Sequence, residues 1–146
     1  MLPYQPRGLK YFLRTKEEMK QTIETIMKRE STDIITLDFL MVIAPTEQAQ
    51  KVLKHVLRVR SQTNEQLKQL YYEITGEILG VDQETFNRPD DFTSGIQEQI
   101  ELQNIRVRRL ENLHQQSISA QIGQQRVSYV MYEEKRILGR LKFLVE

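Results

Sequence analysis

Four long stretches of the chain carry apolar residues at intervals of three and four, which is the period of one face of an α-helix. Among the 146 residues only six are glycine and four are proline, and two of the prolines, Pro3 and Pro6, lie near the start. The remaining chain therefore has few points at which a helix must end. This combination predicts an all-α protein in which each long helix buries one face.

Local signals define the ends of the predicted helices. Capping boxes begin the first helix at Thr15 and the third at Ser94, and Thr46 is the expected cap of the second. Ala44-Pro45 ends the first helix, and the turn before the fourth is expected at residues 117–120. The four predicted helices cover residues 15–44, 46–75, 94–114 and about 121–145.

The connection between the second and third helices is longer than neighbouring helices need. It includes Asn87-Arg88-Pro89-Asp90 and shows no helical period over residues 80–91, and together with its flanks it makes a connection of about 15 residues. We therefore expect an antiparallel four-helix bundle with a long crossover between helices 2 and 3. An ordinary up-down-up-down bundle is the alternative. Residues 1–14 are expected to form a non-helical N-terminal arm packed on a single domain of residues 15–146.

Each apolar stripe is interrupted near its middle by a polar residue. If these residues face the interior, they form one polar layer, and burying them unpaired would cost several kcal/mol each, so they should contact one another. The alternative is that two or three of them lie at the edge of a stripe and reach water. The interrupting residues are Glu30, Arg60, Thr63, Gln103 and Glu134.

Together with the crossover and the mid-helix carboxylates, several segments resemble the ferritin-like superfamily, specifically the small rubrerythrin-like and spore-coat-like bundles, over nearly the whole chain. The segments are Ala44-Pro45-Thr46-Glu47, His55-Val56 and the stretch from Leu70 to Glu77 that contains Thr75-Gly76. Family members bind two irons with one Glu on each of helices 1 and 3 and a Glu-x-x-His motif on each of helices 2 and 4. The resemblance implies that these ligand positions fall, in chain order, on Glu30, Arg60, Thr63, Gln103, Glu134 and Ile137.

Most of these positions have lost their ligands. Only Glu30 and Glu134 are kept, and arginine, the residue at position 60, cannot ligate a metal because it stays protonated. The resemblance therefore implies a degenerate ferritin-like domain without a working di-iron site or other cofactor, acting as a structural or protein-interaction module rather than an enzyme. Arg60 is expected to stand where the metal stands and to bridge the two carboxylates.

The alternative is a ferritin-like metal-binding protein, an oxidase or an iron store with a rearranged site. Such a site would use Glu30 and Glu134 with unexpected donors, and two donors are too few for a stable site. The additional donors would be His55, Glu111 and His114. A packing or hydrogen-bonding role is expected for His55, whereas Glu111 and His114 form a Glu-x-x-His spacing at the end of the third helix.

Composition excludes several classes of function. With 21 Lys and Arg against 20 Asp and Glu, the net charge is +1, so no overall field favours nucleic acid or an anionic membrane. Clusters such as Arg106, Arg108 and Arg109 are expected to be a solvated face. The absence of cysteine and the presence of only two histidines exclude disulfides, cysteine nucleophiles and three-histidine zinc sites.

The chain is expected to be cytoplasmic and to have no membrane span, because no apolar run approaches the roughly 20 residues that a span needs. Self-association is also expected, with an unknown protein as a further partner. Apolar residues of the N-terminal arm offer surface for a homodimer, the simplest closed form. They are Leu2, Tyr4, Tyr11 and Phe12.

Overall fold

The computed structural model of the chain describes residues 6–80 and 85–146. Within these ranges all regular structure is helical, which confirms the all-α prediction. The five helices are α1 (Pro6–Met27), α2 (Glu30–Val42), α3 (Glu47–Thr75), α4 (Phe92–Ala120) and α5 (Gln124–Phe143).

The structure differs from the first predicted helix at two places. The helix starts before residue 15, and it is interrupted at residues 28–29. Helix α1 begins at Pro6, a favourable first helical residue because proline has no N–H to leave unpaired, so residues 6–14 are not a non-helical arm. The Thr15 hydroxyl donates to the Tyr11 carbonyl inside the helix, at 2.8 Å, rather than capping a start. The arm residues Leu2 and Tyr4 lie outside the described residues.

A break at residues 28–29 divides the rest of that predicted helix into α1 and α2. Arg29 has φ −105° and ψ 16°, outside the helical region, and its carbonyl accepts from the Asp33 amide at 2.9 Å. Neither glycine nor proline marks this point, so the apolar pattern predicted a continuous helix. Because of this break, the faces of α2 cannot be deduced by continuing the helical period of α1.

Helix α3 follows its sequence signals closely. The Thr46 hydroxyl accepts from the Ala49 amide at 3.0 Å, which satisfies one of the free N–H groups at the helix start. At the other end Gly76 adopts φ 71°, the left-handed conformation that commonly terminates a helix. Both predicted boundaries of this helix are confirmed.

The predicted boundaries around α4 and α5 need correction. The N-cap of α4 is Asp91, whose carboxylate accepts from the Ser94 amide at 2.8 Å, so Ser94 is not the cap. The helix continues to Ala120, and within it the Ser117 hydroxyl donates to the His114 carbonyl at 2.6 Å. The turn lies at residues 121–123, one helical turn after the predicted position, and uses Gly123 at φ 68°.

Three helices surround a diagonal pair. Each of α1, α2 and α5 packs against both α3 and α4. In the described part of the chain, α3 and α4 make no comparably extensive contact with each other, although residues 76–91 join them directly. The result is a four-helix-bundle-like arrangement in which α1 and α2 together occupy one corner.

The buried apolar residues form two separate clusters rather than one continuous core. One cluster contains Met19 and Ile23 of α1, Leu67 of α3 and Leu110 of α4. The other contains Leu37 and Leu40 of α2, Leu53 and Val56 of α3, Ile96 of α4, and Ile137 and Leu141 of α5.

Among the described helices there is none whose length and apolar character would together allow it to span a membrane.

Candidate functional site

A buried polar layer separates the two apolar clusters. Along α3 the buried apolar residues Val56 and Val59 are followed by Arg60, Thr63 and Asn64, and apolar residues return at Leu67. The same order occurs on α4, around Gln103 and Arg106, and on α5, around Glu134. Three helices therefore bring polar side chains to one level of the bundle.

Glu134 is the centre of this layer, with no exposed surface. Its Oε1 lies 3.1 Å from Arg60 Nε and accepts from the Thr63 hydroxyl at 2.6 Å. Its Oε2 accepts from Gln103 Nε2 at 2.7 Å. Arg106 Nε also lies 3.1 Å from Oε1, but its N–H is not directed at the oxygen, so this contact is a charge pair rather than a hydrogen bond.

The remaining polar groups are connected through the same network. Gln103 donates from Nε2 to the backbone carbonyl of Glu134 at 2.8 Å and accepts at Oε1 from Arg60 Nη2. Arg106 donates from Nη2 to Asn64 Oδ1 at 2.6 Å and from Nη1 to the Ile26 carbonyl at 3.5 Å. Both guanidinium groups are thus held from several sides, as buried charges require.

The electrostatics of the layer fix the protonation of Glu134. Burial alone would raise the pKa of its carboxyl, but the charges of Arg106 and Arg60 and the hydrogen bonds from Thr63 and Gln103 lower it to about 2. Burial lowers the pKa of the Arg106 guanidinium to about 10, against the opposing effect of Glu134. Glu134 is therefore ionised and Arg106 protonated at neutral pH, so the site holds a fixed ion cluster.

Asp33 lies near the edge of this layer. Its Oδ1 is 3.7 Å from Arg29 Nε, and no hydrogen bond reaches that oxygen in the described part of the chain. Burial raises the pKa of the Asp33 carboxyl, although Arg60, Arg29 and Arg106 act in the opposite direction. Asp33 therefore belongs electrostatically to the same group of charges.

Four of the six sequence-predicted site residues come together, and two do not. Arg60, Thr63, Gln103 and Glu134 are buried in one network, as described above. Glu30 is instead partly exposed and pairs with Lys68 of α3, with its Oε1 2.8 Å from Lys68 Nζ. The prediction that Glu30 faces the centre was wrong because it assumed a continuous helix through residues 28–29.

Ile137, the sixth position, is buried in the second apolar cluster rather than in the polar layer. As an aliphatic side chain it has no group with which to join the network. It lies one helical turn after Glu134 and marks where the apolar core of α5 resumes. The polar layer thus ends at Glu134 on this helix.

Sequence reasoning missed two members of the layer. Arg106 was expected on a solvated basic face with Arg108 and Arg109, yet it is 6% exposed while the other two are exposed. It follows Gln103 by three residues, which places both on one side of α4. Asn64 follows Thr63 directly, and its polar character gave no indication that it would be buried.

The other candidate donors do not form a site. His55 Nδ1 contacts Arg58 Nη2 at 2.8 Å, which agrees with the expected hydrogen-bonding role, and burial together with Arg140 and Arg58 lowers the pKa of the imidazole. Glu111 instead lies 4.0 Å from Lys135 Nζ. Within the described ranges, no three His, Cys, Asp or Glu side chains are grouped closely enough to hold a metal ion.

The residues at the centre do not fit a di-iron centre. Iron needs several oxygen or nitrogen donors, whereas the layer offers one carboxylate whose oxygens are already bonded to cationic or neutral donors. The two guanidinium groups carry the same sign of charge as a metal ion and would repel it. The chemistry that this arrangement supports is fixed charge pairing.

Comparison of the chain with protein-family models, with curated proteins and with solved structures finds no match.

Proposed function

We propose that the chain is a degenerate ferritin-like bundle in which buried arginine takes the place of metal, and that it serves as a non-catalytic structural or protein-interaction module. The observation that carries the proposal is the arrangement around Glu134: one carboxylate contacted by Arg60 and Arg106 and hydrogen bonded by Thr63 and Gln103. A carboxylate already paired with two guanidinium groups is a poor metal ligand, because their positive charge would repel the ion. Among the described residues of the layer, Glu134 and Thr63 are engaged by these contacts and are not free to act as a general base or a nucleophile.

The helix arrangement supports the ferritin-like part of the proposal. A crossover bundle joins two diagonal helices by a long connection, and residues 76–91 join α3 to α4, which lie diagonally across the bundle. In an up-down-up-down bundle, consecutive helices joined by short loops are neighbours instead. Arg60, Thr63, Gln103 and Glu134 also share one level, as the ligands of the family do.

An exposed aromatic stripe on α5 supports the interaction part. Tyr129, Tyr132 and Phe143 are 45%, 60% and 55% exposed and follow one another at helical spacing with Arg136. The Arg136 guanidinium lies 5.8 Å from the centre of the Tyr132 ring. Tyrosine, phenylalanine and arginine are the residue types enriched where proteins bind one another. We propose that the simplest partner is a second copy of the chain. We also propose that the protein acts in the cytoplasm.

Metal analysis tests the proposal at its centre. Protein produced with iron, zinc and manganese should contain far less than one metal ion per chain after removal of loosely bound ions. Near-stoichiometric metal that disappears in Glu30→Ala and Glu134→Ala variants would overturn the proposal in favour of the iron-binding alternative.

Sedimentation at tens of micromolar tests self-association. The wild-type chain should sediment as a dimer, and Tyr129→Ser with Tyr132→Ser should shift it toward the monomer. Tyr72→Ser is the matched control, because Tyr72 is 57% exposed on a different helix, α3. A strict monomer, or equal effects of the α3 and α5 changes, would reject the α5 face as the dimer surface.

A further inference from the structure

A cavity of about 180 Å³ opens beside the polar layer at the break between α1 and α2. Its volume is well above the roughly 30 Å³ that one water molecule occupies in the liquid, so it has room for a small polyatomic ion. Residues of α1, α2, α3 and α4 and of the break line it, and they include four arginines and one carboxylate. The charged lining residues are Arg29, Asp33, Arg60, Arg106 and Arg109.

Within the described ranges, and without counting Arg29, three arginines at this cavity face two carboxylates. The arginines are Arg60, Arg106 and Arg109, and the carboxylates are Glu134 and Asp33. Arg60 and Arg106 share the single carboxylate of Glu134, and Asp33 lies beside Arg29. Arg109 is exposed at the cavity and makes no ion pair within the part of the chain that the structure describes. The lining therefore carries surplus positive charge both at the buried wall and at the edge, which favours an anion.

An amide of the cavity lining is available to a ligand. The Gln99 side chain lines the cavity and is only 5% exposed, yet in the described ranges it makes no hydrogen bond. Neither polar atom of this side chain is among the buried atoms that lack a partner, so the amide reaches the open space of the cavity. Gln99 therefore has a donor available for a group inside the cavity.

Asp33 restricts the kind of anion that fits. Its Oδ1 lacks a hydrogen bond, and burial, which raises the pKa of its carboxyl, makes a donor to that oxygen favourable. A fully ionised oxyanion such as sulfate has no proton to offer and would repel the carboxylate. Hydrogen phosphate offers one O–H to Asp33 while its other oxygens accept from arginine and Gln99.

We propose that this cavity binds a small protonated oxyanion, with hydrogen phosphate as the simplest ligand. In the bound arrangement Arg109 and the wall arginines face the phosphate oxygens, Gln99 donates to one of them, and Asp33 accepts from the P–OH group. The site is separate from the proposed dimer face on α5 and does not depend on it.

Calorimetric titration of the full chain at pH 7 with inorganic phosphate and with sulfate, at matched ionic strength, tests the proposal. Saturable binding of one phosphate per chain is expected, with sulfate at least about tenfold weaker. Absence of saturable phosphate binding would overturn the site. Equal affinity for phosphate and sulfate would overturn the role of a protonated ligand.

Variants locate the binding. Arg109→Gln should weaken phosphate binding about tenfold, because it removes a charged donor from an exposed position without disturbing the core. Arg108→Gln, at the neighbouring exposed position outside the cavity lining, is the control and should bind as wild type. Gln99→Leu should also weaken binding, and Asp33→Asn should abolish the preference for phosphate over sulfate. Equal effects at positions 108 and 109 would overturn the assignment.

Discussion

Arg60 and Arg106, which come from the diagonal helices α3 and α4, place their Nε atoms at the same distance, 3.1 Å, from one oxygen of Glu134. Two like charges converge there because a single carboxylate from a third helix, α5, lies between them. Removing that carboxylate would leave both guanidinium groups buried with only the more distant carboxylate of Asp33 as a counter-charge among the described residues. The stability of the layer therefore depends more on Glu134 than on either arginine.

Glu134→Gln should destabilise the protein by about 3 to 5 kcal/mol, since it leaves uncompensated buried charge while nearly preserving side-chain shape. Urea unfolding followed by circular dichroism measures the change. Glu30→Gln is the matched control and should cost less than about 1 kcal/mol, because the Glu30–Lys68 pair is partly exposed and screened. Equal losses in the two variants would contradict the central position of Glu134.

Acid should remove the contribution of Glu134 to stability. Because the pKa of Glu134 is lowered from 4.5 to about 2 in the folded state, its contribution is present above about pH 4.5 and is lost as the pH falls through 2. A shift of this size corresponds to about 3 kcal/mol at neutral pH. Urea unfolding of wild type and Glu134→Gln from pH 7 downward should show the difference between them shrinking below pH 4.5. A pH-independent difference would contradict the assignment.

Replacing the charged and amide side chains of the layer by apolar ones should be far less harmful than removing one member. Thr63 is kept, because its hydroxyl also donates to the Arg60 backbone carbonyl. A buried ion cluster loses much of its Coulomb gain to desolvation, so a well-packed apolar substitute is expected to be neutral or stabilising by about 1 to 4 kcal/mol. Thermal and urea unfolding would compare this variant with Glu134→Gln alone. A combined loss equal to the sum of the single losses would contradict the prediction. The combined variant carries Arg60→Met, Asn64→Leu, Gln103→Leu, Arg106→Met and Glu134→Leu.

A side chain at position 123, in the turn between α4 and α5, should lower the stability of the protein. Gly123 has φ 68°, and an added Cβ would lie 2.6 Å from Leu70 Cδ1, so Gly123→Ala should cost about 2 kcal/mol. Gly139 is the matched control, since it lies inside α5 with open space around it. Gly139→Ala should instead stabilise by about 0.5 to 1 kcal/mol. The midpoint of thermal unfolding distinguishes the two signs.

Prediction from the sequence was most accurate where the capping residues and the spacing of the apolar residues indicated the same helix. Thr46 and Gly76 bounded α3 correctly, and the interrupted stripes identified Arg60, Gln103 and Glu134 as members of one layer. The break at residues 28–29 could not be predicted, because Lys28 and Arg29 are ordinary helix formers and neither glycine nor proline stands there. That single break removed Glu30 from the predicted cluster.

Arg106 shows the other limit of sequence reasoning. An arginine beside Arg108 and Arg109 is normally a surface residue, and its burial is favourable here because α5 brings the Glu134 carboxylate and α3 brings the Asn64 side chain. A partner that lies on another helix leaves no local signal in the sequence. The cavity at the break was unpredictable for the same reason, since Asp33 and Gln99 come from different helices.

The separation of the apolar core into two clusters has a consequence for how the helices align. Apolar side chains pack almost as well after a slide of one helical turn, about 5.4 Å, so aliphatic stripes alone define axial register weakly. Such a slide of α5 would carry Glu134 away from Arg60 and Arg106 and into an aliphatic cluster, leaving three charges buried and unpaired. The central charges thus favour one axial register of the bundle. Registers shifted by one helical turn are disfavoured, because they leave those charges unpaired.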